Sequence, residues 1–123
     1  MSRGRRLSSI ALAVYWLGLF VVTHLPPRNV PRTHVNDKIE HFVAYAILAA
    51  LVFVVAQRLG GARAFAIAVA VCLMYGAIDE WTQLLVGRSC EVNDWLADAG
   101  GAIVGSLVAL ISCRAFAGAT PER

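Results

Sequence analysis

The sequence predicts an all-α protein, a bundle of four helices that each cross a membrane. Hydrophobic residues make up 59% of the chain and charged residues only 15%, and the mean hydropathy is +0.65. This composition is typical of membrane proteins rather than of water-soluble domains. The apolar residues are also gathered into four segments of about 20 residues, the length at which a helix spans a hydrocarbon core about 30 Å thick.

The four predicted helices cover residues 7–25, 39–57, 64–86 and 95–117. The first could be mistaken for a secretory signal, because arginines precede an apolar run. That run is long for a signal peptide, however, and it ends in Thr-His-Leu-Pro-Pro rather than in a small-residue cleavage site. We therefore expect it to remain as the first helix. The loops are short and contain no soluble domain or repeat, so residues 1–123 are predicted to form a single membrane domain.

Acidic residues mark one end of the second, third and fourth helices. Asp37 with Glu40 can form a capping box at the start of the second helix, and Asn93 or Asp94 can cap the fourth. Asp79 has no capping role, since it lies about 22 Å along the third helix, roughly three quarters of the way across. An ionisable side chain at that depth is expected to face the interior of the bundle and to find partners there.

Basic residues are distributed unequally between the two sides of the predicted bundle. Seven arginines lie on one side, and four basic residues lie on the side that carries the acids. The positive-inside rule therefore predicts that both termini are cytoplasmic and that the acidic helix ends face outward. The same asymmetry accounts for the net charge of +3, so no nucleic-acid partner is predicted. The first group is Arg3, Arg5, Arg6, Arg58, Arg63, Arg114 and Arg123; the second is Arg28, Arg32, Lys38 and Arg88.

The acidic residues themselves form the most informative pattern, because seven of the eight lie at the predicted outer ends of the helices. Residues three or four apart share a helix face, so Asp37, His41 and Tyr45 form one stripe. By the same rule Tyr75, Asp79 and Gln83 form a second stripe on the third helix, and Glu80 is predicted to pair with Gln83 across one turn. The seven acids are Asp37, Glu40, Asp79, Glu80, Glu91, Asp94 and Asp98.

Small residues repeat every four positions along the fourth helix. Gly101 and Gly105, extended by Ala97 and Ala109, form a seam that lets another helix approach closely. We predict that this seam serves packing rather than chemistry.

Three types of chemistry can be compared with the residues at the acidic ends. Glu80 and His41 could act as an acid and a base. Lys38 and Arg88, the nearest basic residues, could hold a phosphate or carboxylate at the level of the lipid headgroups. His41, Glu80 and Asp98 could supply one nitrogen and two oxygens to a metal ion. The sequence contains no H-x-x-x-H or H-E-x-x-H pair, however, so no metal site is predicted and no cofactor can be named.

Three segments of the chain carry recognisable signatures: DKIEHFVAY at residues 37–45, IDEWTQ at 78–83 and RSCEVNDWLADAGGAIVG at 88–105. In this order they resemble the signatures of the VanZ-like family of small bacterial integral membrane proteins. The resemblance covers residues 37–105, most of the chain. The matched positions are Asp37, Lys38, His41, Phe42, Tyr45, Glu80, Gln83, Arg88, Asp94, Asp98, Gly101 and Gly105.

The resemblance implies a multi-pass protein of the bacterial cytoplasmic (inner) membrane that acts in the cell envelope. The founding member of the family is linked to resistance against the glycopeptide antibiotic teicoplanin, so a role in antibiotic resistance is one expectation. The resemblance implies no settled biochemical activity, because one member's phenotype need not transfer to another.

The hypothesis that combines these observations is binding or modification of an envelope lipid headgroup, or of a lipid-linked cell-wall precursor, at the outer leaflet. Membrane lipids are then the expected partners, and both enzymatic activity and oligomerisation are open. The alternative is a non-catalytic membrane partner protein or a small proton- or cation-coupled transporter whose acids form internal pairs. The predicted catalytic residues are Glu80, His41 and Asp98, and the predicted substrate-binding residues are Lys38, Arg88, Asp37, Gln83, Asp94 and Tyr45.

Overall fold

The computed structural model describes residues 2–30 and 33–118. In these residues the chain forms four α-helices and three short 3₁₀ turns, without strands. All four helices are long and apolar enough to cross a membrane, which confirms the predicted all-α transmembrane class. Arg32 and Arg123, two of the basic residues in the charge asymmetry, lie outside the described residues. The helices are α1 (Arg3–Thr23), α2 (Asp37–Ala56), α3 (Gly61–Gln83) and α4 (Val92–Gly118).

All four helices begin two to four residues earlier than predicted, and at α2 the reason is local. The side chain of Asn36 caps α2 by accepting a hydrogen bond of 2.9 Å from the backbone N–H of Lys38. The capping role predicted for Asp37 is therefore wrong, and Asp37 is the first helical residue. Helix α4 begins at Val92, so Asp94 lies within its first turn instead of capping it. On α4 both Asp94 and Asp98 are buried, whereas Asp37 of α2 is exposed.

Glycines close two of the connections between helices. Gly60 joins α2 to α3 with a φ of 97°, and Gly87 follows the third helix with a φ of 77°. A side chain at either position would strain the backbone, because L-residues rarely adopt positive φ angles. The two tight reversals make α2, α3 and α4 antiparallel neighbours.

Helix α2 lies at the centre of the bundle and packs against α4, α3 and α1. The buried apolar residues come from α2, α3 and α4 and are mostly small on the last two helices, which brings the backbones close. They are Tyr45, Leu48, Ala49, Val52, Phe53, Ala64, Ala68, Cys72, Ala102 and Ala109.

The closest approach is between α2 and α4, at the glycine seam. A Cβ atom added to Gly101 would overlap the backbone oxygen of Phe42, and one added to Gly105 would overlap the backbone oxygen of Ala46. Only glycine allows the helices to lie this close. The predicted packing role of the seam is therefore confirmed.

Helix α1 lies at the periphery and buries none of its residues. Its attachments are few but specific. The Tyr15 hydroxyl donates a 2.8 Å hydrogen bond to the backbone oxygen of Ala44, and the rings of Trp16 and Tyr75 pack edge to face at 5.2 Å. The bundle therefore consists of a three-helix core, α2 to α4, with α1 laid against it.

The two ends of the bundle differ in composition. One end is formed by the last turns of α1 and α3 and the first turns of α2 and α4, and is termed the polar end. The other is termed the arginine end. The end of α4 reaches the arginine end, because the Cys113 thiol lies 3.3 Å from the side-chain oxygen of Gln57 at the end of α2. Six described arginines belong to that end: Arg3, Arg5, Arg6, Arg58, Arg63 and Arg114.

Candidate functional site

The polar end buries side chains that proteins normally leave in water. Such groups are buried only at a large cost in free energy unless they are paired or hydrogen-bonded. Three helices contribute them, so the site exists only in the folded bundle. The buried ionisable and amide side chains are His41 on α2, Asp79, Glu80 and Gln83 on α3, and Asp94 and Asp98 on α4.

His41 is the centre of this site. Its Nδ1 atom lies 2.8 Å from Asp98 Oδ1, which is hydrogen-bond distance, and 3.9 Å from Glu80 Oε1. Its other ring nitrogen, Nε2, lies 3.7 Å from Asp94 Oδ2 and 4.0 Å from Asp37 Oδ2. We refer to these five residues as the His41 cluster. The fold thus brings together the three predicted catalytic residues, one from each core helix.

Two buried oxygen atoms of the His41 cluster have no hydrogen-bond donor among the described residues. Glu80 Oε2 accepts a 3.1 Å hydrogen bond from the backbone N–H of Glu91, but Glu80 Oε1 has no partner in the described part of the chain. Asp98 Oδ2 is likewise buried and unpartnered. It lies over Gly76, where a Cβ atom would come within 3.2 Å of it. A buried carboxylate oxygen without a donor costs free energy. A ligand that bound these two oxygens would recover that cost.

Lys38 is engaged within the protein. Its ammonium group contacts Asp94 and donates a 2.8 Å hydrogen bond to Glu91 Oε2, which ties the first turn of α2 to the start of α4. This ion pair lowers the pKa of the Glu91 carboxyl. The arrangement differs from the predicted anion-binding role of Lys38, because two carboxylates already share its charge.

Arg88 has a different environment. It is half-buried, and its guanidinium forms no ion pair with any residue that the structure describes. It lines a cavity of about 110 Å³ between α1, α2 and the α3–α4 connection. The predicted substrate-binding residues Asp37 and Tyr45 and the predicted catalytic residue His41 line the same cavity. Its other lining residues are Leu19, Val22, Thr23, Val30, Glu40 and Ala44.

A family model described as VanZ/LLP1 matches residues 7–113 of the chain. The protein is a member of the VanZ/LLP1 family. No curated protein and no solved structure matches it. The matched range contains all four helices' apolar segments except the end of α4, and it contains the whole His41 cluster. The family membership and the four candidate spans identify a multi-pass, VanZ-like membrane protein.

A second polar group of this VanZ/LLP1 protein centres on Asp79. Thr23 Oγ1 donates a 2.8 Å hydrogen bond to Asp79 Oδ1, and Gln83 Nε2 donates one of 3.0 Å to Asp79 Oδ2. The predicted pairing of Gln83 with Glu80 is therefore wrong, because the residue four positions back lies better aligned than the one three back. Gln83 is buried against Asp79 and does not line the cavity beside Arg88.

Sequence reasoning missed the contribution of α1 to this second group. His24 Nδ1 lies 3.7 Å from Asp79 Oδ1, and His24 Nε2 lies 2.8 Å from the Thr82 hydroxyl. The signal in the sequence was a threonine and a histidine at the end of an otherwise apolar helix. Only the fold shows that both face α3.

Among the described residues of this VanZ/LLP1 protein, two sets of side chains could hold a metal ion. His41, Glu80 and Asp98, all buried, offer ligand atoms within 4.8 Å of one another, and so do Asp37, His41 and Asp94. Without an ion, the same groups provide an imidazole beside two carboxylates at the wall of a cavity. That arrangement can take up or release a proton next to a bound molecule.

Proposed function

We propose that this VanZ/LLP1 protein binds a phosphorylated lipid headgroup, or that of a lipid-linked cell-wall precursor, at the outer leaflet of the bacterial cytoplasmic membrane. The observation that carries the proposal is the cavity at the polar end. One part of its wall is apolar and is formed by α1 and α2, whereas another part carries Arg88 and His41. An amphiphile has the same division between its chain and its head.

The apolar wall suits a hydrocarbon chain. Leu19 and Val22 on α1 and Ala44 on α2 line the cavity where the loosely attached first helix meets the core. Because α1 buries none of its own residues, we expect that it can move to admit a chain from the bilayer. Ligand sites with predominantly apolar walls and a few convergent polar groups are typical of small-molecule recognition.

The polar wall suits an anionic head. Arg88 presents a planar guanidinium that has no carboxylate partner among the described residues, and this geometry matches a phosphate with two parallel hydrogen bonds. The charge of Lys38 is neutralised by its ion pairs with Glu91 and Asp94. The anionic headgroup would therefore bind to Arg88 alone. His41 lines the cavity beside Glu80 and Asp98, which favours modification of the bound head as an extension of binding.

Lipid binding can be tested with purified protein in nanodiscs. The probes are a long-chain isoprenyl phosphate, phosphatidylglycerol and the matching isoprenol, which lacks the phosphate. We expect both phosphorylated lipids to bind more tightly than the isoprenol. Arg88→Gln should weaken their binding by about 10- to 100-fold, as the loss of a charge-assisted contact would, and Arg88→Lys should weaken it less.

Arg28→Gln is the matched control, because Arg28 is an exposed arginine of the same end that does not line the cavity. It should leave binding unchanged. Equal binding of the isoprenol, or an equal loss in the Arg28 and Arg88 variants, would show that the cavity does not recognise a phosphate.

The proposed orientation rests on the charge asymmetry between the two ends. Cys90 is exposed at the polar end and Cys72 is buried within the bundle. In intact bacterial spheroplasts an impermeant thiol reagent should label Cys90, and a Cys90→Ser variant should lose the label. Labelling of Cys90 only after lysis would place the polar end in the cytoplasm and would remove the outer leaflet from the proposal.

A non-catalytic role is the second candidate. It is favoured for the residues around Asp79, because both carboxylate oxygens of Asp79 already accept hydrogen bonds within the chain. Asp79 receives two hydrogen bonds within the chain and lies next to His24, as expected of a purely structural ion site. Teicoplanin susceptibility and lipid composition of a deletion strain separate the candidates. A changed lipid or precursor profile supports headgroup chemistry, whereas an unchanged profile supports a partner or transport role.

A further inference from the structure

The His41 cluster combines one imidazole nitrogen with carboxylate oxygens from two other helices. His41 Nδ1, a Glu80 oxygen and an Asp98 oxygen all lie within 4.8 Å of one another. Ligand atoms of one Zn²⁺ ion lie about 2.0 to 2.2 Å from it and hence up to about 4.4 Å apart, so small side-chain rotations would bring all three atoms to a shared ion. The sequence lacks a metal-binding motif for this set because no two of the three residues belong to one helix.

An independent observation, the lack of hydrogen-bond donors at two buried oxygens of the set, points to a ligand. Glu80 is 3% exposed and Asp98 is 1% exposed, yet Glu80 Oε1 and Asp98 Oδ2 have no hydrogen-bond donor in the described chain. His41 is the only cationic or potentially cationic side chain within 4.0 Å of either carboxylate among the described residues. Two buried carboxylates that share one imidazole need a further positive charge or a proton.

The surroundings of His41 Nε2 resemble the outer support of a metal ligand. A histidine that binds a metal through one ring nitrogen is usually oriented by an acceptor near the other. Here Asp94 and Asp37 lie 3.7 and 4.0 Å from Nε2. Binding of an ion at Nε2, between Asp94 and Asp37, is less favourable for two reasons. Asp94 already forms an ion pair with Lys38, and the side chain of Asp37 is 58% exposed to solvent.

We propose that His41, Glu80 and Asp98 form a binding site for one divalent cation of the Zn²⁺ or Mn²⁺ class. Mixed imidazole and carboxylate ligands suit these ions better than Ca²⁺, which takes six to eight oxygens. His41 also lines the cavity, which gives the ion a route to the site and leaves room for a further ligand. The site does not depend on lipid binding, so each proposal can fail while the other stands.

Binding is measured with the full chain in dodecyl maltoside, after removal of any affinity tag, by following the EPR signal of free Mn²⁺ during titration. Mn²⁺ is chosen because it avoids thiols such as Cys90. We expect saturation at one ion per chain and competition by Zn²⁺. Glu80→Gln and Asp98→Asn, which keep the shape of each side chain, should weaken binding by at least about tenfold.

Glu40→Gln is the charge-matched control, because it removes one acid from the same end and the same cavity without touching the ligand set. It should leave Mn²⁺ affinity within about twofold of the parent. If this control weakens binding as much as Glu80→Gln, the cluster attracts cations only through its net charge, and the proposed site is wrong.

A second measurement needs no variant in the ligand set and so does not depend on whether such variants fold. The chain has three histidines, and uniform ¹⁵N-histidine labelling makes each ring visible by NMR. His24→Gln and His34→Gln assign two of the signals and leave His41 intact. One equivalent of Zn²⁺ should shift the Nδ1 resonance of His41 and leave the other two rings unchanged.

These results are decisive in both directions. A shift confined to His41, together with stoichiometric Mn²⁺ binding that Glu80→Gln or Asp98→Asn reduces, supports the site. No stoichiometric binding by the parent protein, or a Zn²⁺-induced shift at His24 or His34 instead of His41, overturns it.

Discussion

The two ends of the bundle are held together by different interactions. Toward the arginine end, Val52 and Phe53 of α2 are buried in one apolar cluster with Ala64 and Ala68 of α3, and no described carboxylate, imidazole or amide is buried there. At the polar end, the same three helices meet through carboxylates, an imidazole and an amide. At the arginine end the three core helices are therefore held by apolar packing. The polar end leaves buried oxygens without donors.

This difference indicates where stability and function reside. Packing of apolar and small residues can hold helices together in lipid, so we expect most of the stability to come from the apolar contacts. Ionisable residues that persist inside a membrane protein at a cost in free energy mark a functional site. The comparison therefore predicts that variants at the two ends fail in different ways.

The largest effect is expected at the seam that joins the two ends. Gly105→Leu places a side chain where the backbone oxygen of Ala46 lies, so α2 and α4 must separate. The free energy of unfolding should fall by more than about 3 kcal/mol, the upper end of the range typical of overpacked cores. Little folded protein should then accumulate. Gly18→Leu is the control, because nothing lies within 4 Å of a Cβ atom at Gly18. Size-exclusion profiles in detergent that are the same for Gly105→Leu and the parent would contradict the observed helix contact.

The next effect tests the arginine end. Phe53→Ala removes a fully buried ring from the α2 interface and should cost up to about 3 to 5 kcal/mol, as such truncations do in soluble cores. Lipid and Mn²⁺ binding per folded molecule should remain unchanged. Denaturation by SDS titration measures the first quantity and binding normalised to folded protein the second. A binding defect in the folded fraction would show that the two ends are coupled.

A smaller effect distinguishes two neighbouring acids of the polar end. Asp79→Asn removes a charge that accepts hydrogen bonds from Thr23 and Gln83, and should cost about 1.5 to 3 kcal/mol. Glu80→Gln should destabilise less, because one of its oxygens has no donor to lose, but it should abolish function in a complementation assay. His41→Gln should behave like Glu80→Gln. If Glu80→Gln instead lowered the free energy of unfolding by about 3 to 5 kcal/mol, Glu80 would belong to a buried ion pair that the fold requires.

The smallest effect on stability is expected at the exposed ion pair between Lys38 and Glu91. Glu91→Gln breaks the exposed ion pair with Lys38 but keeps the backbone N–H that serves Glu80. Exposed ion pairs are screened by water and contribute little, so the melting temperature should be the same as that of the parent. A clear decrease would mean that this pair is shielded in the bilayer and belongs to the site.

The fold was predictable because it follows from segment length and composition. Four apolar runs of spanning length allow few alternatives, and the spacing of Gly101 and Gly105 indicates one close contact between helices. The grouping of His41, Glu80 and Asp98 was also predictable, since all three lie at similar depths on adjacent helices. Depth along a helix depends only on the rise per residue.

The details of the site depend on helix rotation and on side chains from distant segments, which sequence periodicity does not define. The spacing allowed Gln83 to pair with Glu80 or Asp79, and only tertiary packing selects Asp79. Lys38 looked free because its partner Glu91 is far along the chain. Thr23 was overlooked for the same reason, because its partner is 56 residues away.

The pairing of buried acids has a consequence for how the chain is assembled in the membrane. An acid that enters the bilayer alone is costly, and helices emerge from the ribosome in order. Helix α1, which comes first, has no ionisable residue between Leu7 and Thr23 other than Tyr15. Thr23, which hydrogen-bonds to Asp79 of α3, is synthesised before Asp79. His41, which lies at hydrogen-bond distance from Asp98 of α4, is likewise synthesised before Asp98. Each of these acids is thus synthesised after its partner, so nascent helices need not wait in lipid with an unsatisfied charge.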